Sequence, residues 1–443
     1  MATQVDSSSF GLQINPPNVV WHLEIDLHNR VARGKTSTEF PGQTSSFGQK
    51  TPTPQSKSHM SRIAVDMSPL VHGARAVSHC TSSMVKELVK HEDMKFSLLY
   101  FDYKHQTDKY LRPLEDRVDE RVVHIPYRLL IPAWRRLSFP HLEMIAPDCD
   151  LLYSNEFYFP PTKHTLVLAT IHGLSYRIIP EKISSQFVKS FNQGLSFILK
   201  NADYLVAVSE TTKTELVNHV GVAPERIYVV THGVNKQFRK QENEQKVWDC
   251  LNDNYGLKRR YILYIGAIGI HKNIMGILSA YEKLSDKISH NLVFAGPPDS
   301  AWDKARRFVT EHNLSGRVHF LGYVANTGNN LVDLYNGADL FVFPSFYEGW
   351  TSPPLEAMAC GTPVITSNCY SIPETVGSAA IQVDPNNHEE LANEIERILS
   401  DKTLQSELIK KGLKHAALHT WESAAAKLMD VFTDIRARGP WKS

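Results

Sequence analysis

From Met60 onward, apolar runs and amphipathic stretches take turns along the chain. In the first part, apolar runs predict strands over 63–66, 96–101, 122–125, 151–153, 166–171, 204–208 and 227–230. Helical spacing predicts helices over 81–90, 184–201 and 211–220. Residues 240–258 are charged and polar, as a connection between domains should be, and the pattern then restarts. Strands are predicted over 261–265, 292–294, 318–321, 340–343, 363–366 and 380–383. After Asn273, the positions Ile274, Ile277, Leu278, Tyr281 and Leu284 form an apolar stripe at the helical period. Strands alternating with helices imply parallel sheets covered on both faces. Two runs of that pattern predict two α/β domains, 60–245 and 246–427.

Residues 1–59 break the pattern. They are rich in Ser, Thr, Gln and Pro, and 51–58 has the composition of a linker. The segment 19–27 is apolar enough for a short strand or docking piece. No positive region followed by an apolar core marks a secretory signal. The stretch is therefore expected to be a leader, a misassigned start or a poorly ordered extension.

Composition adds mainly exclusions. A length of 443 residues predicts two or three domains. A net charge of +1 argues against a dedicated nucleic-acid binder. No apolar run approaches the roughly 18 residues of a transmembrane helix. The five cysteines are scattered, without a Cys-x-x-Cys pair, so neither a zinc knuckle nor a disulfide framework is expected. A reducing, cytoplasmic setting fits that usage.

The densest chemical signal lies between Phe343 and Gly361. An apolar strand leads into a turn and then a helix with clear start signals. Ser352 is placed to cap it, and Pro353 sits where a missing N–H costs nothing. Glu348 lies in the loop and Glu356 in the helix, with seven residues between them. Both are placed at a strand's carboxyl end, where open α/β sheets bind ligands. The helix start also favours an anion such as a phosphate.

This stretch resembles the signature of glycosyltransferase family 4, the group 1 glycosyltransferases. The likeness rests on Pro344-Ser345, Glu348-Gly349, Pro353, Leu355-Glu356-Ala357-Met358-Ala359, Gly361 and Pro363-Val364. It extends over about 60–430 and is more specific in the second half. The resemblance implies the GT-B architecture, two Rossmann-like domains facing across a cleft, with a final helix over about 428–443 packing back on the first. It implies that Glu356 accepts hydrogen bonds from a ribose and that Glu348 positions the donor sugar.

The remaining roles follow from the same resemblance. Gly266, Lys272 and Asn273 match the loop that holds the donor diphosphate. His271 and Ala267 stand where relatives carry arginine, so His271 substitutes only as a cation or a neutral donor. Gly322 and Tyr323 match the loop whose backbone reads the base. Thr351 replaces a glycine that lets the backbone approach phosphate, and Ser352 joins the donor-binding set. His172 matches the histidine that reaches the reaction centre, and Gly73 and Arg75 match the loop contacting acceptor or phosphate. His232-Gly233-Val234-Asn235 is read as structural, and Ser209-Glu210 as a helix start. Asp148-Cys149-Asp150 looks like a metal-binding tripeptide but precedes a first-domain strand, so no metal is assigned.

The segment 128–136, with Arg128, Arg135, Arg136 and Trp134, suits a peripheral contact with an anionic membrane surface; its alternative is a domain surface with a half-buried Trp134. The resulting expectation is a retaining glycosyltransferase without a cofactor. It would move a hexose, mannose favoured, from a nucleotide-diphosphate sugar such as GDP-mannose to a glycan or lipid-linked glycan. The catalytic set is Glu348, His172 and Lys272. The alternatives are an epimerase or phosphorylase of the same fold, or a non-catalytic binding partner.

Overall fold

The computed structural model describes residues 61–72, 75–103, 118–257, 260–325 and 328–441. Residues 1–59, with the segment 19–27, lie outside them, as does Gly73. The described residues belong to one unit, Ser58–Ser443. The apolar runs form strands and the amphipathic stretches between them form helices.

The first half builds on β1 (Ser61–Asp66), β2 (Met94–Tyr100), β3 (Val118–Val122), β4 (Leu151–Ser154), β5 (Leu166–Ile171), β6 (Tyr204–Ala207) and β7 (Ile227–Val229). They pair in parallel in the order β3-β2-β1-β4-β5-β6-β7. The second half uses β8 (Tyr261–Ile265), β9 (Asn291–Ala295), β10 (Val318–Gly322), β11 (Leu340–Phe343), β12 (Val364–Ser367) and β13 (Ile381–Val383). Their parallel order is β10-β9-β8-β11-β12-β13. In both sheets the winding direction reverses once, between β1 and β4 and between β8 and β11. The crevice above such a reversal is the natural ligand site of a doubly wound sheet.

Each sheet is apolar on both faces because helices cover both. Two buried clusters sandwich the first sheet, one around Val65, Leu98 and Phe432, the other around Leu99, Leu152 and Leu205. A third, around Leu263, Ile277 and Phe341, fills the second half. The helix Trp421–Arg438 follows the second half in sequence, yet its Leu428, Phe432 and Ile435 are buried in the first-half cluster. The chain thus passes between the halves twice.

Three expectations are corrected. The third strand is Val118–Val122, not 122–125, because it is an edge strand. Paired on one side only and half-exposed, it carries Asp119, Glu120 and Arg121, and so lacks the apolar run of a central strand. The helix expected over 81–90 runs over Arg75–Leu88, starting earlier than its apolar face suggested. The 128–136 segment is a helix, Tyr127–Leu137, and its Trp134 is fully buried rather than half-buried.

Candidate functional site

Two loops of the second half flank the reversal between β8 and β11. The loop after β11 carries Glu348. One of its carboxylate oxygens accepts from Lys272 Nζ at 2.6 Å and from Ser345 Oγ at 2.7 Å. Lys272 comes from the loop after β8, and both side chains are largely shielded from solvent. The His271 carbonyl stitches the loops together, accepting from Phe346 N at 2.9 Å and Ser345 Oγ at 3.1 Å. An ammonium and a carboxylate are thus held at the mouth of the crevice, one from each side of the switch point.

The helix Ser352–Ala359 follows. Its N-cap is Thr351 rather than Ser352, and that side chain caps nothing. The reason is in the sequence. A cap hydroxyl accepts from the second or third N–H of a helix. Here those positions are Pro353 and Pro354, which have none. The Thr351 hydroxyl is consequently buried, with the residue only 2 % exposed, and has no hydrogen-bond partner. Further along the helix, buried Glu356 accepts from Tyr335 Oη at 2.8 Å. Burial pushes its carboxyl up to about 7, against the opposing pull of that hydrogen bond.

The loop after β8 needs its glycine. Gly266 has φ +151°, and an added Cβ would lie 2.6 Å from the Tyr264 hydroxyl. Burial, helped by the charge of Lys272, holds His271 down to about 3. It is a neutral group, which leaves Lys272 as the cation of this loop. Asn273 is a junction in left-handed conformation, φ +58°, and its buried amide donates to the Pro385 carbonyl at 2.6 Å. Its side chain therefore holds the fold together rather than presenting free donors. Gly322, φ +69°, ends β10, and Tyr323 follows, half-exposed. They share the sheet's carboxyl end with Lys272 but lie two strands away, a spacing suited to an elongated ligand.

The first half meets these loops through His172, just after β5. Burial lowers its imidazole to about 4, partly offset by a hydrogen bond to the Asn155 backbone. The ring is neutral, and its Nε2 is buried without a partner. Its loop touches the Glu348 loop backbone to backbone. A Cβ added at Gly349 would lie 2.1 Å from the His172 carbonyl oxygen, and one at Gly173 would lie 3.0 Å from Gly349 Cα. Behind His172 stands His232, 5.7 Å away between ring centroids and stacked on Trp421. Cys80 Sγ lies 3.4 Å from His232 Nδ1.

The structure thus gathers Glu348, Lys272 and His172 around one crevice, with Glu356 and Ser352 on the helix beneath it. Arg75 opens the helix Arg75–Leu88 at the carboxyl end of β1, its side chain being outside the described residues. Asp148 and Asp150 sit before β4, at the opposite end of the sheet, where they engage Arg62. Tyr335 and Glu374 belong to no local pattern, and although Glu215 ends the Ser-x-x-Thr-x-x-Glu helix start and Tyr347 lies within the Pro-Ser-x-x-Glu stretch, the sequence assigns no role to either. Tyr347 Oη donates to Glu215 Oε2 at 2.6 Å and accepts from Leu174 N at 2.7 Å, joining the two halves. Ser345 lay inside the Pro-Ser motif, and its hydroxyl aims at Glu348.

Comparison with known proteins gives a consistent picture. Residues 77–238 match the family described as Glycosyltransferase Family 4, and 253–415 match Glycosyl transferases group 1. The O-antigen chain mannosyltransferase B of Escherichia coli is 29 % identical over 310 residues, 69 % of this chain and 80 % of that protein. Serotype-specific mannosyltransferases WbdA of the same species are 28 % identical, but the match spans only 28–29 % of their length. Among solved structures, Alr3699/HepE of Anabaena in complex with UDP and glucose aligns with a TM-score of 0.64 at 17 % identity, covering 85 % of this chain and all of that one. Sucrose-phosphate synthase of Thermosynechococcus elongatus aligns with a TM-score of 0.64 at 21 % identity, over 86 % of this chain and all of that one. Those two likenesses speak to the fold. Two Rossmann-like halves, a crevice between their switch points and both family matches lead to one assignment: the chain belongs to the group 1, or family 4, glycosyltransferases, nucleotide-sugar-dependent enzymes of the GT-B fold.

Proposed function

We propose that this chain transfers a hexose, mannose favoured, from GDP-mannose to a glycan or lipid-linked glycan, with retention of configuration. The observation that carries the proposal is the Lys272–Glu348 pair at 2.6 Å, set at the switch point, with the loop of His172, whose buried Nε2 has no partner, packed backbone to backbone against the loop of Glu348. Likeness to O-antigen mannosyltransferases favours mannose as the sugar.

Each group has a task suited to its state. The diphosphate gathers charge as the glycosidic bond breaks, and the Lys272 ammonium stabilises it. Neutral His172, with Nε2 as an acceptor, takes a hydrogen bond from a hydroxyl of the sugar. Glu348 accepts from another hydroxyl and stays oriented through Ser345. Ionised Glu356 accepts from the ribose. The leaving diphosphate itself takes the acceptor's proton on the face it vacates, which needs no separate base.

The helix Tyr127–Leu137 supports a peripheral membrane contact. It buries Leu130 and Trp134 and exposes Arg128, Arg135 and Arg136 beside Leu129 and Leu137, the last 74 % exposed. Phe139 and Met144 extend the apolar surface. Among the described residues no helix is long and apolar enough to cross a membrane. Such a face rests on an anionic surface such as the cytoplasmic leaflet. Arg135→Glu with Arg136→Glu is expected to abolish sedimentation with phosphatidylglycerol vesicles; unchanged sedimentation contradicts the contact.

A thermal-shift panel tests the donor. Ligand at roughly 100 times its dissociation constant stabilises the native state by about 2.7 kcal/mol. GDP-mannose is expected to raise the melting temperature most. A larger shift with a UDP-sugar overturns the choice of donor, and none with any nucleotide sugar overturns the proposal.

A further inference from the structure

We propose that Glu374 is a positioning residue: it holds the two halves closed and thereby sets Glu348 against His172 for the transfer. The inference rests on the function proposed above and concerns a residue outside the donor-contacting set.

The helix Glu210–Glu215 follows β6 in the first half, and its opening N–H groups have no partner within the helix. Ser209 caps one, its Oγ accepting from Thr212 N at 2.9 Å. The two before it are satisfied from the other half. Glu374 Oε1 accepts from Glu210 N at 2.8 Å, and Oε2 from Thr211 N at 3.1 Å. The Thr211 hydroxyl adds a third bond to Oε2 at 3.2 Å. A carboxylate here is favoured by charge-assisted hydrogen bonding and by the helix dipole.

Glu374 is also tied to the reaction centre. It sits in the short helix Ile372–Val376, and Ser371, at the N-cap position of that helix, donates through Oγ to the Glu348 carbonyl at 2.7 Å. On the other side of Glu348, Tyr347 reaches Glu215, the last residue of the same first-half helix. The loop of Glu348 is therefore held to one helix at three points, Glu374 at its start, the Thr212 hydroxyl, which donates to the Gly349 carbonyl at 3.4 Å, and Tyr347 at its end. Opening the cleft breaks all three and frees two N–H groups. Nucleotide binding on the second half needs neither contact, whereas transfer needs His172 beside Glu348.

The test compares two losses at the same helix start, in the full-length protein. Glu374→Gln removes the charge and one of the two acceptor oxygens of the cap that crosses the cleft; Ser209→Ala removes the cap within the first half. Glu374→Gln is expected to lower kcat roughly ten-fold or more while GDP affinity by calorimetry stays within about two-fold. Ser209→Ala is expected to lower the melting temperature with kcat within about two-fold of wild type. In small-angle scattering without ligand, Glu374→Gln alone should show a larger radius of gyration. Equal kcat losses in the two variants, or unchanged scattering of Glu374→Gln, overturn the proposal. Should Glu374→Gln fail to fold, Glu374→Asp, which keeps the charge but shortens the reach, carries the same comparison. If wild type turns over no nucleotide sugar, the functional reading fails and the scattering result still decides the closure.

Discussion

Glu356 shows how one buried group couples stability to pH. Burial raises its carboxyl from 4.5 to about 7 in the folded chain. A group whose folded value is raised gives its full stabilisation below the unfolded value, and loses it as pH climbs through the folded one. Wild type should therefore lose stability relative to Glu356→Gln between about pH 4.5 and 7, by roughly 3 kcal/mol. Denaturant unfolding of both proteins at pH 5 and pH 8 measures it, and parallel curves refute the shift. Ribose hydroxyls donating to the carboxylate favour its ionised form, so GDP should bind more tightly as pH rises through 7, and Glu356→Gln should lose that dependence. Much at this scale was legible beforehand: Glu348, Glu356, Lys272 and His172 stand in local motifs, each beside a strand end. Asn273 was also found by motif, yet its amide is occupied by the Pro385 carbonyl, a bond across 112 residues that no local pattern encodes.

At the scale of elements, the helix Ser352–Ala359 and the loop before it carry two tests. The orphaned Thr351 hydroxyl costs free energy in the ligand-free protein. Thr351→Val keeps the shape and removes the unpaired group, so it should stabilise the free protein by about 1–2 kcal/mol. Destabilisation would show that the hydroxyl has a partner after all. Gly349→Ala should do the opposite of a conservative change. Its Cβ meets the His172 carbonyl at 2.1 Å, so the two loops must part. A loss of kcat of roughly 100-fold is expected, with folding retained; near-normal turnover would show that this backbone contact is dispensable. Periodicity located the central strands because burial on both faces makes them uniformly apolar. It misplaced β3, whose charged edge residues follow a different rule. The cap residue was placed one position late, because the consequence of two successive prolines appears only once the helix start is known.

At the scale of the whole molecule, the two sheets bring the loops after β5, β8 and β11 together at one crevice. Pattern predicted the two sheets. The contacts between halves were not predictable from it, since Tyr347–Glu215 and Glu374–Glu210 join residues more than 130 positions apart. The proposed transfer assigns cleavage of a nucleotide-sugar bond, with retention, to Glu348, Lys272 and His172. The most direct measurement follows GDP-α-mannose by proton NMR with water as the acceptor, recording which anomer forms before mutarotation. GDP should be released with α-mannose as the first product. Lys272→Ala should slow that release roughly ten-fold or more, through the loss of a charged hydrogen bond of about 1.5–3 kcal/mol. First appearance of β-mannose, or GDP release undiminished in Lys272→Ala, would contradict that assignment.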